Sequence, residues 1–227
     1  MSMLHELADG VWVAWAPQSF YGLQFGARMT VVRLGDGTLW LHSPIAIDDT
    51  LRAEVDALGP VAHIVAPSLL HHLHAGAAAD LYPDAKLHLA TGLDKKRPDL
   101  KAGAVLSAES DPTWRGEVEA LPIEGTILGE TAFVHHPSGT LVCSDLIENF
   151  ETSDDWFTRM YLKLSGVHGK PGLSRALRMA FRDKKAGRRS IDAILERPFT
   201  RVSVGHGDPL LEGGPEALRS SYAWLKG

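Results

Sequence analysis

Short apolar runs broken by glycine and polar turns open the chain. "VWVAW" (11–15), "MTVVRL" (29–34) and "TLWLHSP" (38–44) are rich in β-branched and aromatic residues and read as strands. The "GDG" at 35–37 marks a hairpin between the last two. The period then changes. In "DDTLRAEVDALG", Leu51, Val55 and Leu58 share one helical face, Asp49 or Thr50 is placed to cap its start, and Gly59 to end it. "AHIVA" (62–66) is a strand, "HAGAAADLY" (74–82) a short helix stopped before Pro83, and "AKLHLA" (85–90) another strand. Residues 91–113 are polar and carry no clear period.

Strand patterns resume with "EVEALPI" (117–123). "TAFVHHPSGTLVCSD" (131–145) then reads as a hairpin turning at Pro137-Ser138-Gly139. Residues 154–198 are helical in about three pieces, with breaks expected near Gly169–Pro171 and at Gly187. "RVSVGHGD" (201–208) is a strand with an abrupt Gly-His-Gly end, and "PEALRSSYAWL" (215–225) a closing helix with Pro215 in its first turn. Strand runs twice give way to helices, so the pattern predicts an α/β fold with two packed sheets and helices outside, a four-layer αββα sandwich. A doubly wound parallel sheet is the alternative. It lacks a Gly-x-Gly-x-x-Gly loop or a P-loop to support it.

The composition fits one domain over 1–227, with 154–198 as a helical insertion. The chain has 227 residues, 44% hydrophobic and 22% charged, which is ample for a core and excludes disorder. No apolar run is long enough to span a bilayer, so no membrane partner is expected. An acidic N-terminus without a basic stretch does not resemble a signal peptide, and the single cysteine, Cys143, fits a reducing cytoplasm. Zinc fingers and iron–sulfur sites are excluded for want of thiolates.

The net charge of −5 argues against a dedicated nucleic-acid binder, so nucleic acid is not an expected partner. That charge is uneven. Lys163 to Arg189 holds nine basic residues and one acid, Asp183, which leaves 14 basic and 27 acidic residues elsewhere. The basic insertion reads as a solvated helical face, or as an arm facing an anionic small-molecule substrate. Whether the chain forms a homo-oligomer is left open.

Candidate chemistry gathers where strands end. "PSLLHHLHAG" puts His71, His72 and His74 just after "AHIVA", Asp145 follows "TLVCS", and His206 follows "RVSV". Strand ends in α/β folds converge on one rim, where binding sites form. Imidazole and carboxylate together suit one divalent metal, zinc first, with iron or manganese as alternatives. The same residues also read as helix-start histidines, a cap and a turn histidine.

At these residues the chain resembles the metallo-β-lactamase superfamily. "LHSP" stands where that family often has Asp-Thr-Gly, "SGTLVCSDLI" is similar to its Thr-Leu-x-x-Gly-Asp segment, and "VSVGHGD" is similar to its Pro-Gly-His-Gly ending. The His-Ser-Pro and His-His-Leu signatures resemble a divergent branch of it. The resemblance implies a metallo-β-lactamase-like sandwich, and the departures from it are specific. The family's His-x-His-x-Asp-His ligand positions fall on Pro67, Leu69, His71 and His72, and its next histidine falls near Gly125-Thr126. Its first metal site therefore lacks ligands here. The resemblance leaves a second site of His71, His72, Asp145 and His206, with His71 as ligand or proton carrier. It puts His74 beside the site as a further acid–base candidate, and His42 near the rim.

These readings imply a mononuclear metal-dependent hydrolase acting on an ester, lactone, thioester or phosphoester. The alternative is a non-catalytic ligand-binding or sensing protein on the same fold. A metal-independent hydrolase using Ser43 or Ser68 lacks a Gly-x-Ser-x-Gly elbow.

Overall fold

The computed structural model describes residues 3–225. The first half folds as β1 (Leu4–Ala8), β2 (Val11–Ala16), β3 (Ser19–Phe20), β4 (Leu23–Gln24), β5 (Ala27–Arg33), β6 (Leu39–His42), α1 (Asp49–Leu58), β7 (Val61–Ala66), α2 (Ala75–Leu81), β8 (Lys86–Leu89), α3 (Leu93–Lys96) and β9 (Ala104–Val105). The second half adds β10 (Val118–Pro122), β11 (Thr131–His135), β12 (Thr140–Val142), α4 (Trp156–Ser165), α5 (Arg175–Arg178), α6 (Lys184–Leu195), β13 (Arg201–Ser203) and α7 (Gly214–Ser221).

Two sheets face each other. One has the order β1-β2-β5-β6-β7-β8-β9 and the other β10-β11-β12-β13, while β3 and β4 form a separate small hairpin. From β6 to β9 the neighbours run parallel, as do β12 and β13. Val11, Val13, Val32, Trp40 and Val65 meet Val118, Phe133 and Val142 between the sheets. On the outer side of the larger sheet, Leu51 and Val55 of α1 pack on Met29, Val31 and Leu41. Outside the smaller sheet, Ile191, Ile194 and Leu218 of α6 and α7 cover Ala132, Val134, Leu141 and Val202. The layers are thus helix, sheet, sheet, helix, as the pattern predicts. A strand covered on both faces buries side chains on both, so β5 is buried from Ala27 to Val32 without alternation and only Arg33 is exposed.

The departures from the sequence pattern are local. The cap of α1 is Asp48, whose Oδ1 accepts from the Leu51 amide at 2.8 Å, so the cap lies one residue earlier than expected. Gly187 does not break a helix. It lies inside α6, where a Cβ would come within 2.6 Å of the Phe181 ring, and the break falls at Asp183, which caps α6. The closing helix stops at Ser221. Beside the β11–β12 turn, His135 is 2% exposed, and its Nδ1 pairs with Ser138 Oγ at 2.7 Å. The uninterpreted stretch 91–113 supplies α3 and the short edge strand β9.

Candidate metal centre

Three turns at one rim of the sandwich bring His71, Asp145 and His206 together. His71 lies in the turn after β7, Asp145 after β12 and His206 after β13, so both sheets contribute. The turn after β7 is shaped by Ser68, whose buried hydroxyl accepts from the amides of Leu70 at 3.2 Å and His71 at 3.0 Å. It is anchored to the second sheet by Thr131 N donating to Pro67 O at 2.9 Å. Glu130 shapes the Asp145 turn. Its two carboxylate oxygens accept from the amides of Ser144 at 2.7 Å and Asp145 at 3.2 Å. His206 is aimed by its flanking glycines. Gly207 has φ +78, and a Cβ there would stand 1.9 Å from Asn149 O, so no other residue fits.

Asp145 Oδ1 is the focus of the cluster. His71 Nε2 lies 3.4 Å from it and His206 Nε2 3.6 Å, and one donor atom from each residue falls within 4.8 Å of the others. All three side chains are nearly enclosed, with 7%, 5% and 12% exposure for His71, Asp145 and His206. The other imidazole nitrogens are held from behind. His71 Nδ1 pairs with Ser43 Oγ at 2.8 Å, and His206 Nδ1 donates to Gly26 O at 2.7 Å. Ser43 has φ 52, a left-handed conformation unusual for a residue with a Cβ, and this strained turn presents its hydroxyl to the ring.

The donor chemistry fits a cation. A carbonyl only accepts, so the proton of a neutral His206 sits on Nδ1 and its bare Nε2 lone pair faces a carboxylate. Asp145 Oδ2 is buried with no hydrogen-bond partner among the described residues. Burial and the neighbouring His71 push the His206 pKa down to about 4, which keeps the ring neutral. Burial lowers that of His71 too, but the Asp145 carboxylate more than restores it, and the net shift is upward. Burial raises the Asp145 carboxyl, yet the two imidazoles hold it below its usual range. Of the two imidazoles, His71 is therefore the one on which Asp145 favours a proton. A metal ion bound by deprotonated imidazoles would displace it. Two further acids lie buried nearby. Glu130 and Glu148 are each pushed up to about 7, by burial and then by the charge of Asp145.

His72 lies outside this group. Among the described residues it is not one of the donors that converge with Asp145, and Arg97 Nη1, just after α3, lies 3.1 Å from its Nδ1. His74 is half-buried at the head of α2 and makes no side-chain cap there. His42 is fully buried against Trp40, with neither ring nitrogen hydrogen-bonded among the described residues, and its pKa is pushed down to about 3, chiefly by burial. Gly26, Glu130 and Glu148 were not singled out by sequence. An acid opening an apolar run, as in "GETAFV", was the only available sign of Glu130.

The fold is shared with solved structures. A metallo-β-lactamase from Hirschia baltica matches with a TM-score of 0.67 at 13% identity, over 99% of this chain and 97% of that one. FIM-1 from Pseudomonas aeruginosa, in its mono-zinc form, matches with a TM-score of 0.66 at 14% identity, over 98% and 93%. The metal-soaked Flv1 flavodiiron core from Synechocystis matches with a TM-score of 0.66 at 11% identity, over 98% of this chain and 60% of that one. No curated protein sequence matches. One family model matches residues 8–160, more than half of the chain, and that span includes His71 and Asp145 but stops before His206. The chain therefore has the metallo-β-lactamase fold and belongs to the family described as domain of unknown function DUF4336.

Proposed function

We propose that this chain is a mononuclear metal-dependent hydrolase in which His71, Asp145 and His206 hold one divalent ion. The observation that carries this reading is the bare Nε2 of His206 facing a buried carboxylate, one oxygen of which has no partner among the described residues. Two nitrogens and one oxygen suit zinc first, then iron or manganese. When bound, such an ion supplies Lewis acidity and lowers the pKa of a water toward neutrality. The protein supplies the rest. Gly26 O fixes the His206 tautomer, Ser43 orients His71, and Glu130 fixes the backbone that carries Asp145. Among the described residues three protein donors converge, which leaves room for a reacting group in a tetrahedral set. His71 doubles as the residue that gives up a proton when the ion binds. His74, half-exposed at the head of α2, is assigned to carry protons to solvent. The substrate class is a small ester, lactone, thioester or phosphoester.

One observation favours a second reading. The His71–Asp145 pair balances its own charge with a proton alone, which suits a ligand-binding or sensing protein without turnover. Elemental analysis of protein purified without a histidine tag separates the two. About one equivalent of metal is expected in the wild type, with loss in Asp145→Ala and in His206→Ala and retention in His72→Ala. Hydrolysis of chromogenic esters, lactones and thioesters should follow the metal content. Metal-free wild-type protein after zinc supplementation, or equal turnover in Asp145→Ala, sinks the hydrolase reading.

A further inference from the structure

Helix α4 has an apolar face that the fold does not cover. Thr158, Leu162 and Ser165 point inward and are buried, and Tyr161 leans on Phe25 with ring centroids 5.5 Å apart. At 3.6 residues per turn, Trp156, Met160, Leu164 and Phe157 occupy an arc of about 100° on the outer side. Their exposures are 65%, 43%, 67% and 41%. Scattered apolar side chains are normal on a protein surface, whereas a contiguous set on one helix face marks an interaction site.

The β3–β4 hairpin extends this face. Its turn carries Phe20 and Tyr21, exposed by 54% and 88%, with ring centroids 4.5 Å apart. The Gln24 amide donates to Thr158 Oγ1 at 2.8 Å, and a Cβ on Gly22 would touch the Phe157 ring at 4.0 Å. Hairpin and helix are therefore one surface.

Charge selects the occupant. Arg159 and Lys163 lie on α4 at the edge of the apolar arc. Arg175 Nη1 donates to Leu164 O at 3.2 Å, which places a third cation at the end of the face. The nearest acids of the segment, Glu151, Asp154 and the α4 cap Asp155, all precede the helix. Lys163 to Arg189 carries nine basic residues and one acid in a chain of net charge −5. A second copy docked by two-fold symmetry would set this basic segment against itself. Aromatic side chains rimmed by lysine and arginine suit an anionic headgroup layer, where the rings sit at the polar–apolar boundary.

We propose that α4 and the β3–β4 turn dock this protein peripherally on an anionic phospholipid surface. No helix of the described residues is long and apolar enough to cross a membrane, and docking of this kind needs none. Phe25 touches both Tyr161 and, with centroids 5.9 Å apart, His206, so the docked face adjoins the candidate metal centre.

The full chain should co-sediment with vesicles of equimolar phosphatidylcholine and phosphatidylglycerol, and not with phosphatidylcholine alone. Trp156→Glu/Met160→Glu should abolish binding. Lys163→Glu/Arg175→Glu should weaken it by roughly twentyfold or more, at roughly fivefold per cationic charge lost near the surface. All four positions are exposed, and circular dichroism should show both variants folded. Tyr21→Ser on the hairpin is an independent variant, expected to weaken binding should either double variant fail to fold. Absence of binding to the mixed vesicles overturns the proposal, as does undiminished binding by Trp156→Glu/Met160→Glu. A concentration-dependent dimer in light scattering that this variant abolishes would assign the face to a second copy and overturn it equally.

Discussion

An imidazole taken out of water gives up its proton unless a nearby charge holds it. His42 and His88 are both pushed down to about 3 by burial, and His206 to about 4, whereas His71 is shifted upward because Asp145 faces it. His88 sits far from the metal ligands in sequence, pairs with His63 Nδ1 at 3.2 Å and lies against Trp114. Its folded value is below the unfolded value of 6.5. Between the two, only the unfolded chain binds the proton, so its contribution is intact above the unfolded value and is lost as pH falls toward about 3. Glu130 and Glu148, raised to about 7, act in the opposite sense over part of that range, so the difference between wild type and variant is the informative quantity. Wild type should lose about 1 kcal/mol more stability than His88→Gln between about pH 7.5 and about pH 5.5. Urea unfolding of chelated protein measures this, and parallel pH profiles would refute it. At this scale the site was partly legible. His71, Asp145 and His206 stood out because each ends a strand. His72 also matched in sequence, but a neighbour in a chain does not share a direction, and its contact with Arg97 connects groups no pattern relates. Buried Glu148 is indistinguishable in sequence from a surface acid, and Glu130 differs only in opening an apolar run.

Elements place the ligands through their ends, and glycine sets what an end can do. The strand β13 runs into Gly205-His206-Gly207, where the chain passes between Ser144, His71 and Asn149. A Cβ on Gly205 would meet His71 Cε1 at 2.8 Å and Ser144 O at 2.9 Å, and one on Gly207 would meet Asn149 O at 1.9 Å. Gly139, in the β11–β12 turn, shares a positive φ of 61 but has nothing within 4 Å of a Cβ. Gly139→Ala should therefore cost only the backbone penalty, about 1–2 kcal/mol. Gly207→Ala should cost about 1–3 kcal/mol more through crowding, and should also lower metal content by displacing His206. Denaturant midpoints and metal analysis on both variants check this. Equal effects would mean that the tight passage does not fix the site. The larger elements were legible because strand and helix periods differ and each core helix has one apolar stripe. The β3–β4 hairpin was not, since two-residue strands carry no period, and Gly187 misled because a glycine required by the Phe181 ring looks the same as one that ends a helix.

The whole molecule is two sheets joined at a rim, and the candidate metal centre lies on that seam. His71 is carried by the larger sheet, while Asp145 and His206 follow strands of the smaller. Direct contacts already cross at the same end. Thr30 Oγ1 and Ser203 Oγ lie 2.7 Å apart, and Arg28 N donates to Gly205 O at 3.0 Å. A metal held by residues of both sheets would close the seam further, and the unfolded chain cannot offer that geometry. Binding to the folded state alone at about a hundredfold excess over Kd stabilises by about 2.7 kcal/mol. For a chain of this length each kcal/mol moves Tm by about 2–4 °C. Saturating zinc should therefore raise Tm by about 5–10 °C over chelated protein, with no such shift in His206→Ala. Calorimetry with and without chelator reads this directly. The mutant comparison matters because surface histidines also bind zinc, and a shift that survives in His206→Ala would come from them. A metal-loaded wild type with the same Tm as its chelated form would mean that the ion, wherever it binds, does not link the two sheets.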